Sequence, residues 1–163
     1  MPGTSSGNEQ RRVLHIAKLR VPLFEADLGG GVYHGNYFHL FEIAREEFLR
    51  DLDFPYSRFM KQQLHLTVAE ISCIYQRPVF YDDLIEIHTE VPERRIRSLS
   101  FLQTIYREDG DKGMIVCTQA RMNLVCIRFT GLSSVIPPEF IRLLDERIER
   151  SPVVRTGRDE LLQ

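Results

Sequence analysis

The sequence predicts an α+β fold: a curved, five-stranded antiparallel sheet wrapped around a long central helix, with another helix at the C-terminal end. Three observations predict it. Branched and aromatic residues alternate through five short segments. Between the first and second of these the apolar period changes from two to that of a helix. A proline-led amphipathic stretch follows the last strand pattern. A helix with a broad apolar stripe and a sheet with an apolar face must cover each other, because water penalises both surfaces.

The first strand is expected over residues 13–21, where Val13, Ala17, Leu19 and Val21 share one face by alternation. Three consecutive glycines, Gly29, Gly30 and Gly31, end it. A glycine run costs backbone entropy and packs nothing, so it implies a tight turn or a close approach of the main chain to something else. Residues 36–51 then carry Tyr37, Phe41, Ala44 and Phe48 at helical spacing, with Leu40 and Ile43 widening the stripe. Glu46 and Arg50 are four apart, a spacing that supports the exposed side of a helix. Strand patterns follow at 66–76, 84–91, 98–107 and 113–127. Their short connections predict that successive strands pair as a meander. The terminal helix begins in "PPEFIRLLDERIER", where Phe140, Ile141, Leu144 and Ile148 form its buried side.

Composition sets the bounds on class. The 163 residues, 43% hydrophobic, suffice for one domain with a sizeable core. We place a flexible tail at 1–11, the domain at 12–150 and a second tail at 151–163. A formal net charge of -2 with scattered Lys and Arg gives no electrostatic case for nucleic acid. No run of about 18 apolar residues occurs, so stable membrane insertion is not expected. The polar "MPGTSSGNEQRR" lacks the apolar core of a secretory signal, and the expected location is cytoplasmic. Cys73, Cys117 and Cys126 are an odd number without CxxC spacing and read as reduced, packed side chains. His15, His39, His65 and His88 have no companions at metal-ligand spacing, and no metal site is expected.

The segment "DLGGGVYHGNYFHLFEIAREEFLR" resembles the signature of the hot-dog-fold thioesterases of the 4-hydroxybenzoyl-CoA thioesterase group, particularly its YbgC-type members. "RPVFYDDLIEIHTEV" is similar to the same family's Arg-Pro turn leading through an acidic turn into the next strand. The resemblance spans nearly the whole domain and implies the hot-dog fold. It also implies hydrolysis of acyl-CoA thioesters to free acid and CoA, with CoA thioester as substrate and no cofactor.

By the same resemblance the acid before the glycines, Asp27, is the catalytic carboxylate. The position seven residues further on, His34, opens the central helix, and its backbone amide polarises the thioester carbonyl. The His34 side chain is a candidate for assisting catalysis. Tyr33, Gly35, Arg95, Arg97 and Ser98 are the candidate substrate-binding residues, the arginines suiting CoA phosphates because a planar guanidinium binds two oxygens together. Glu25 reads as a solvated strand-end acid and stays outside this set. Leu23 departs from the family, many of whose YbgC-type members carry Tyr there, and hints at a more apolar acyl pocket.

The resemblance further implies a homodimer, joined sheet edge to sheet edge with substrate at the seam; a tetramer also fits. Acyl carrier protein is an alternative source of the thioester, and acyl-CoA binding without chemistry is the non-enzymatic alternative. Hydration is disfavoured: related hydratases place Asp and His five residues apart around Asn-Pro, which this chain lacks near Asp27. The acyl group, and whether Asp27 attacks directly or deprotonates water, stay open.

Overall fold

The computed structural model describes residues 11–154. In chain order it contains β1 (His15–Arg20), α1 (Tyr37–Asp51), α2 (Tyr56–Lys61), β2 (Leu64–Tyr75), β3 (Leu84–Arg94), β4 (Ser98–Glu108), β5 (Met114–Arg128) and α3 (Pro138–Arg150). One 3-10 turn, His34–Asn36, leads directly into α1. Most of the two expected tails lies outside the described residues. Arg11 and Val153, both placed in tails, nevertheless belong to the fold: Arg11 salt-bridges Glu90, and Val153 forms an isolated bridge with Arg12.

Helix α1 buries Tyr37, Leu40, Phe41, Ala44, Phe48 and Leu49 against the concave face of the sheet. Ile43, expected in the stripe, is exposed. At about 100° per residue it sits about 200° around the helix from Phe41, on the opposite side. Phe48 has no exposed surface and meets Phe101 of β4 edge-on, with ring centroids 6.4 Å apart. Register shifts between Val68 and Glu70, Glu90 and Glu93, and Ile105 and Tyr106 mark irregularities of the kind that help a sheet curve around a helix. The short helix α2 has no counterpart in the sequence reading. Its Phe59 packs with Phe54 and with Phe140 of α3 at 4.9 and 5.2 Å between centroids.

All neighbouring strands pair antiparallel, but the expected meander holds only for β3, β4 and β5. The sheet order is β1-β3-β4-β5-β2. Strand β2 runs to the far edge beside β5, and β1 takes the place next to β3. Residues 76–83 make this crossing possible. Three strand spacings are about 14 Å, and eight residues reach up to about 26 Å when extended, so a short connection need not be a hairpin. The crossing runs past the start of α1, which fixes the geometry described next. Among the described residues no helix is long and apolar enough to cross a membrane.

Phe48→Ala should lower the unfolding free energy by about 3–5 kcal/mol, through lost burial and the cavity left behind. Urea unfolding would show this as a lower midpoint at an unchanged slope.

Candidate active site

After β1 the chain makes a single 3-10 turn, Leu23–Glu25, then folds back on itself through an Ala26 to Val32 bridge. The tip is tightly bonded. Asp27 N–H donates to the Gly31 carbonyl at 2.9 Å, and Gly30 N–H donates to the Asp27 carbonyl at 3.0 Å. Gly30 sits at φ +81°, where a side chain would be strained, which explains one glycine of the run. Gly29 has a different reason: its N–H donates to Asp27 Oδ1 at 2.8 Å, and a Cβ there would come within 3.1 Å of the same oxygen. The turn therefore grips one carboxylate oxygen of Asp27. No described residue bonds Oδ2, and the side chain is exposed.

The loop is tied to the crossing segment and to α1. Val32 N–H donates to the Val79 carbonyl at 2.8 Å and Tyr81 N–H to the Gly30 carbonyl at 3.1 Å. Val79 N–H in turn donates to the Tyr37 hydroxyl at 3.2 Å. Glu25 overturns its expectation as a solvated acid, being only 2% exposed. Its carboxylate meets His39 Nδ1 at 3.0 Å, one turn into α1, and its carbonyl accepts from Tyr33 N–H at 3.0 Å and Asn36 Nδ2 at 3.2 Å. A buried carboxylate needs such partners, and here they brace the loop against the helix.

The helical run starts at His34 with no side-chain cap and no acid in its first turn. Its leading amides thus lack the usual internal acceptor and carry the positive end of the helix dipole. The His34 imidazole is exposed and lies against the Tyr33 ring, with centroids 4.1 Å apart, and no hydrogen bond joins it to Asp27. Gly35 permits that arrangement, because a Cβ would come within 3.1 Å of Tyr33 Cε1. The His34 carbonyl accepts from the Tyr75 hydroxyl at 2.8 Å. Burial, followed by the adjoining Cys73, pushes the Tyr75 phenol up to about 12. Burial also raises the Cys73 thiol, which keeps it protonated and unsuited to nucleophilic attack.

Arg95, Arg97 and Ser98 are elsewhere. They form the β3–β4 turn, where Arg95 N–H donates to the Ser98 carbonyl at 2.8 Å. Arg94 pairs with Asp145 of α3, Arg95 with Glu93 at 2.6 Å, and Arg97 Nη1 reaches Ser133 Oγ at 3.4 Å. The Asp27 loop adjoins the opposite end of β3, through Val21 N–H on the Asp83 carbonyl. The ten residue steps of β3 separate the two groups by about 33 Å. One protomer therefore carries Asp27, Tyr33, His34 and Gly35 on one braced stretch of chain leading into α1 and leaves the arginine turn apart.

A cavity of about 240 Å³ opens between α1 and the β2 side of the sheet, with Glu42, Arg45 and Glu46 on one wall and Leu66, Val68 and Phe101 on the other. Arg45 donates there to two neutral groups, Gln103 Oε1 and Met122 Sδ, both at 3.0 Å. Sequence reading missed Glu25, His39 and Tyr75. Each acts through a partner 14 or 41 residues away, a separation that leaves no local pattern.

The model of the thioesterase superfamily matches residues 29–114, which include the last part of the loop, α1 and the crossing. A protein of Aquifex aeolicus (strain VF5) named as an esterase is 39% identical over 131 residues, 80% of this chain and 98% of its own. The acyl-CoA thioesterase YbgC of Haemophilus influenzae is 30% identical over 125 residues, 76% of this chain and 88% of its own. A crystal structure of a protein from Aquifex aeolicus superposes with a TM-score of 0.73 at 34% identity, covering 80% of this chain and 98% of that one. The antiparallel sheet around α1 is thus the hot-dog fold, and the chain belongs to the thioesterase superfamily.

Proposed function

We propose that the protein hydrolyses acyl-CoA thioesters to free acid and CoA, with Asp27 as base or nucleophile and the His34 backbone amide as oxyanion donor. The observation that carries this is a carboxylate held by one oxygen and open at the other, on a loop braced to the uncapped start of a helix. The similarity to a relative named as an acyl-CoA thioesterase supports the substrate class.

In the base route Asp27 takes a proton from water as the water oxygen bonds to the thioester carbon. The carbonyl oxygen becomes an oxyanion, stabilised by amides already oriented at the helix start. Collapse breaks the C–S bond, and the leaving thiolate recovers a proton to give CoA and the carboxylic acid. In the nucleophilic route Asp27 displaces the thiolate itself, and water then cleaves the mixed anhydride. The His34 side chain is exposed beside Tyr33 and holds no bond to Asp27, so its part in this reading is assistance to either route once substrate is bound.

A second copy completes the site in this reading. Strand β2 pairs on one side with β5; its other edge is unpaired among the described residues, and Val68, Ile71 and Tyr75 are exposed along it. Such an edge invites pairing. Two β2 strands joined antiparallel would set the Tyr75 end of one copy beside the Leu64 end of the other. The Leu64 end neighbours the arginine turn, since Leu64 pairs with Arg128 and Cys126 N–H donates to the Arg97 carbonyl at 2.8 Å. A homodimer thereby brings Arg95, Arg97 and Ser98 of one protomer toward Asp27 of its partner, as a long CoA substrate requires.

Thiol release from a panel of acyl-CoAs should fall about a hundredfold on Asp27→Asn, the order expected for losing a general base. Equal rates for the two proteins would exclude Asp27. Cleavage of an acyl carrier protein thioester with none of the CoA panel would reassign the substrate. Placing charge on the edge, in the double variant Val68→Arg, Ile71→Arg, should give a monomer by sedimentation and cost at least about tenfold in activity. A fully active monomer would sink the shared-site reading.

A further inference from the structure

We propose that Tyr75 is a positioning residue for the oxyanion site: its hydroxyl, reaching from the end of β2, holds the His34 carbonyl and so fixes the peptide that carries the Gly35 N–H, a second donor beside the His34 N–H at the helix start. This rests on the thioesterase reading and deepens it.

A trans peptide is planar, with its C=O and N–H pointing in opposite directions. Two such planes flank His34. In the first, the Tyr33 carbonyl accepts from Asn36 N–H at 2.8 Å, so the carbonyl turns toward the helix and His34 N–H turns out of it. In the second, the His34 carbonyl accepts from Tyr75 Oη at 2.8 Å, so Gly35 N–H points away from Tyr75. The helix's own first turn secures one plane, while a side chain 41 residues further along secures the other.

Helix ends fray when nothing caps them, and this one has no side-chain cap. An oxyanion donor works only if its direction is set before the charge develops. Tyr75 supplies that restraint without occupying the amides, because it binds the carbonyl side of the peptide. A bond to the carbonyl also polarises the peptide and strengthens Gly35 N–H as a donor.

Tyr75 is itself well held, although its ring is exposed on one side. The ring meets Tyr37 edge-on at 5.2 Å and 75°. Its backbone pairs with Thr118 of β5, and Tyr37 is bonded to the crossing segment through Val79 N–H. With its phenol pushed up to about 12, Tyr75 keeps its proton at neutral pH and remains a donor. That proton is committed to a backbone carbonyl, so Tyr75 is not the acid or base of the reaction.

Tyr75→Phe keeps the ring and removes one hydroxyl. With an acyl-CoA that the native protein cleaves, kcat should fall about tenfold while KM stays within about twofold, the signature of an interaction that acts in the transition state. The melting temperature should move by no more than about 2 °C. In amide-resolved 15N spectra the His34 and Gly35 signals should shift selectively. A kcat within about twofold of native overturns the proposal. So does a slow variant that is destabilised and whose His34 and Gly35 amides are unmoved, since Tyr75 would then serve stability alone. Asp27→Asn run in parallel separates the two levels. If it cleaves as fast as the native protein, the site reading falls and the Tyr75 role with it. A slow Asp27→Asn beside an unimpaired Tyr75→Phe overturns the Tyr75 role by itself.

Discussion

Val79 is held from both sides, and the geometry of the loop and helix depends on that double hold. Its N–H donates to the Tyr37 hydroxyl at the first full turn of α1, and its carbonyl accepts from Val32 N–H in the glycine loop. The side chain is fully buried, where an unpaired peptide would be costly. The crossing segment therefore cannot drift without losing bonds to both the loop and the helix. Because β2 must travel to the far edge of the sheet, the chain is forced across the start of α1 at this place. The topology that broke the expected meander is thus the same feature that locates Asp27.

Two carboxylates only two residues apart are treated in opposite ways. Glu25 is drawn inward, where His39 and two backbone-carbonyl bonds make it part of the brace. Asp27 is held outward by a single amide on one oxygen. A buried acid shielded from solvent and paired with a histidine is poorly placed to take a proton from water or attack a carbonyl. An exposed acid with one oxygen fixed and one open is oriented and still reactive. The helix start follows the same division, with its carbonyls bonded by Asn36 and Tyr75 and no side-chain acceptor on its leading N–H groups.

The sequence was legible wherever one element's own periodicity decides its burial. Phe41, Ala44 and Phe48 lie inward on α1, and Phe140 and Leu144 inward on α3, as their spacing requires. The glycine turn was legible as a turn between β1 and α1. Information carried only between elements was not legible. The place of β2 in the sheet is set by pairing with β5 over register pairs such as Cys73 with Ala120, and no alternation pattern names a partner strand. Helix α2 is six residues long, too short for a helical period to stand out from its surroundings. The burial of Glu25 depends on His39, and the restraint on His34 on Tyr75; each is a contact made after the fold has formed.

Charge at the arginine turn refines which side chain there can engage a phosphate. Arg94 and Arg95 already face carboxylates, Asp145 and Glu93. Among the described residues Arg97 reaches only the neutral Ser133 hydroxyl. An exposed ion pair such as Arg95 with Glu93 is worth at most about 1 kcal/mol, so that guanidinium can be exchanged to a stronger anion, but it must first leave its partner. Arg97 gives up only a long neutral hydrogen bond. Edge pairing of β2 would carry this turn toward the partner's Asp27 loop, joining an unneutralised cation on one protomer to the reactive carboxylate of the other. In the proposed dimer the two ends of the sheet would together span a CoA thioester, and the exposed edge of β2 is where the second copy would pair.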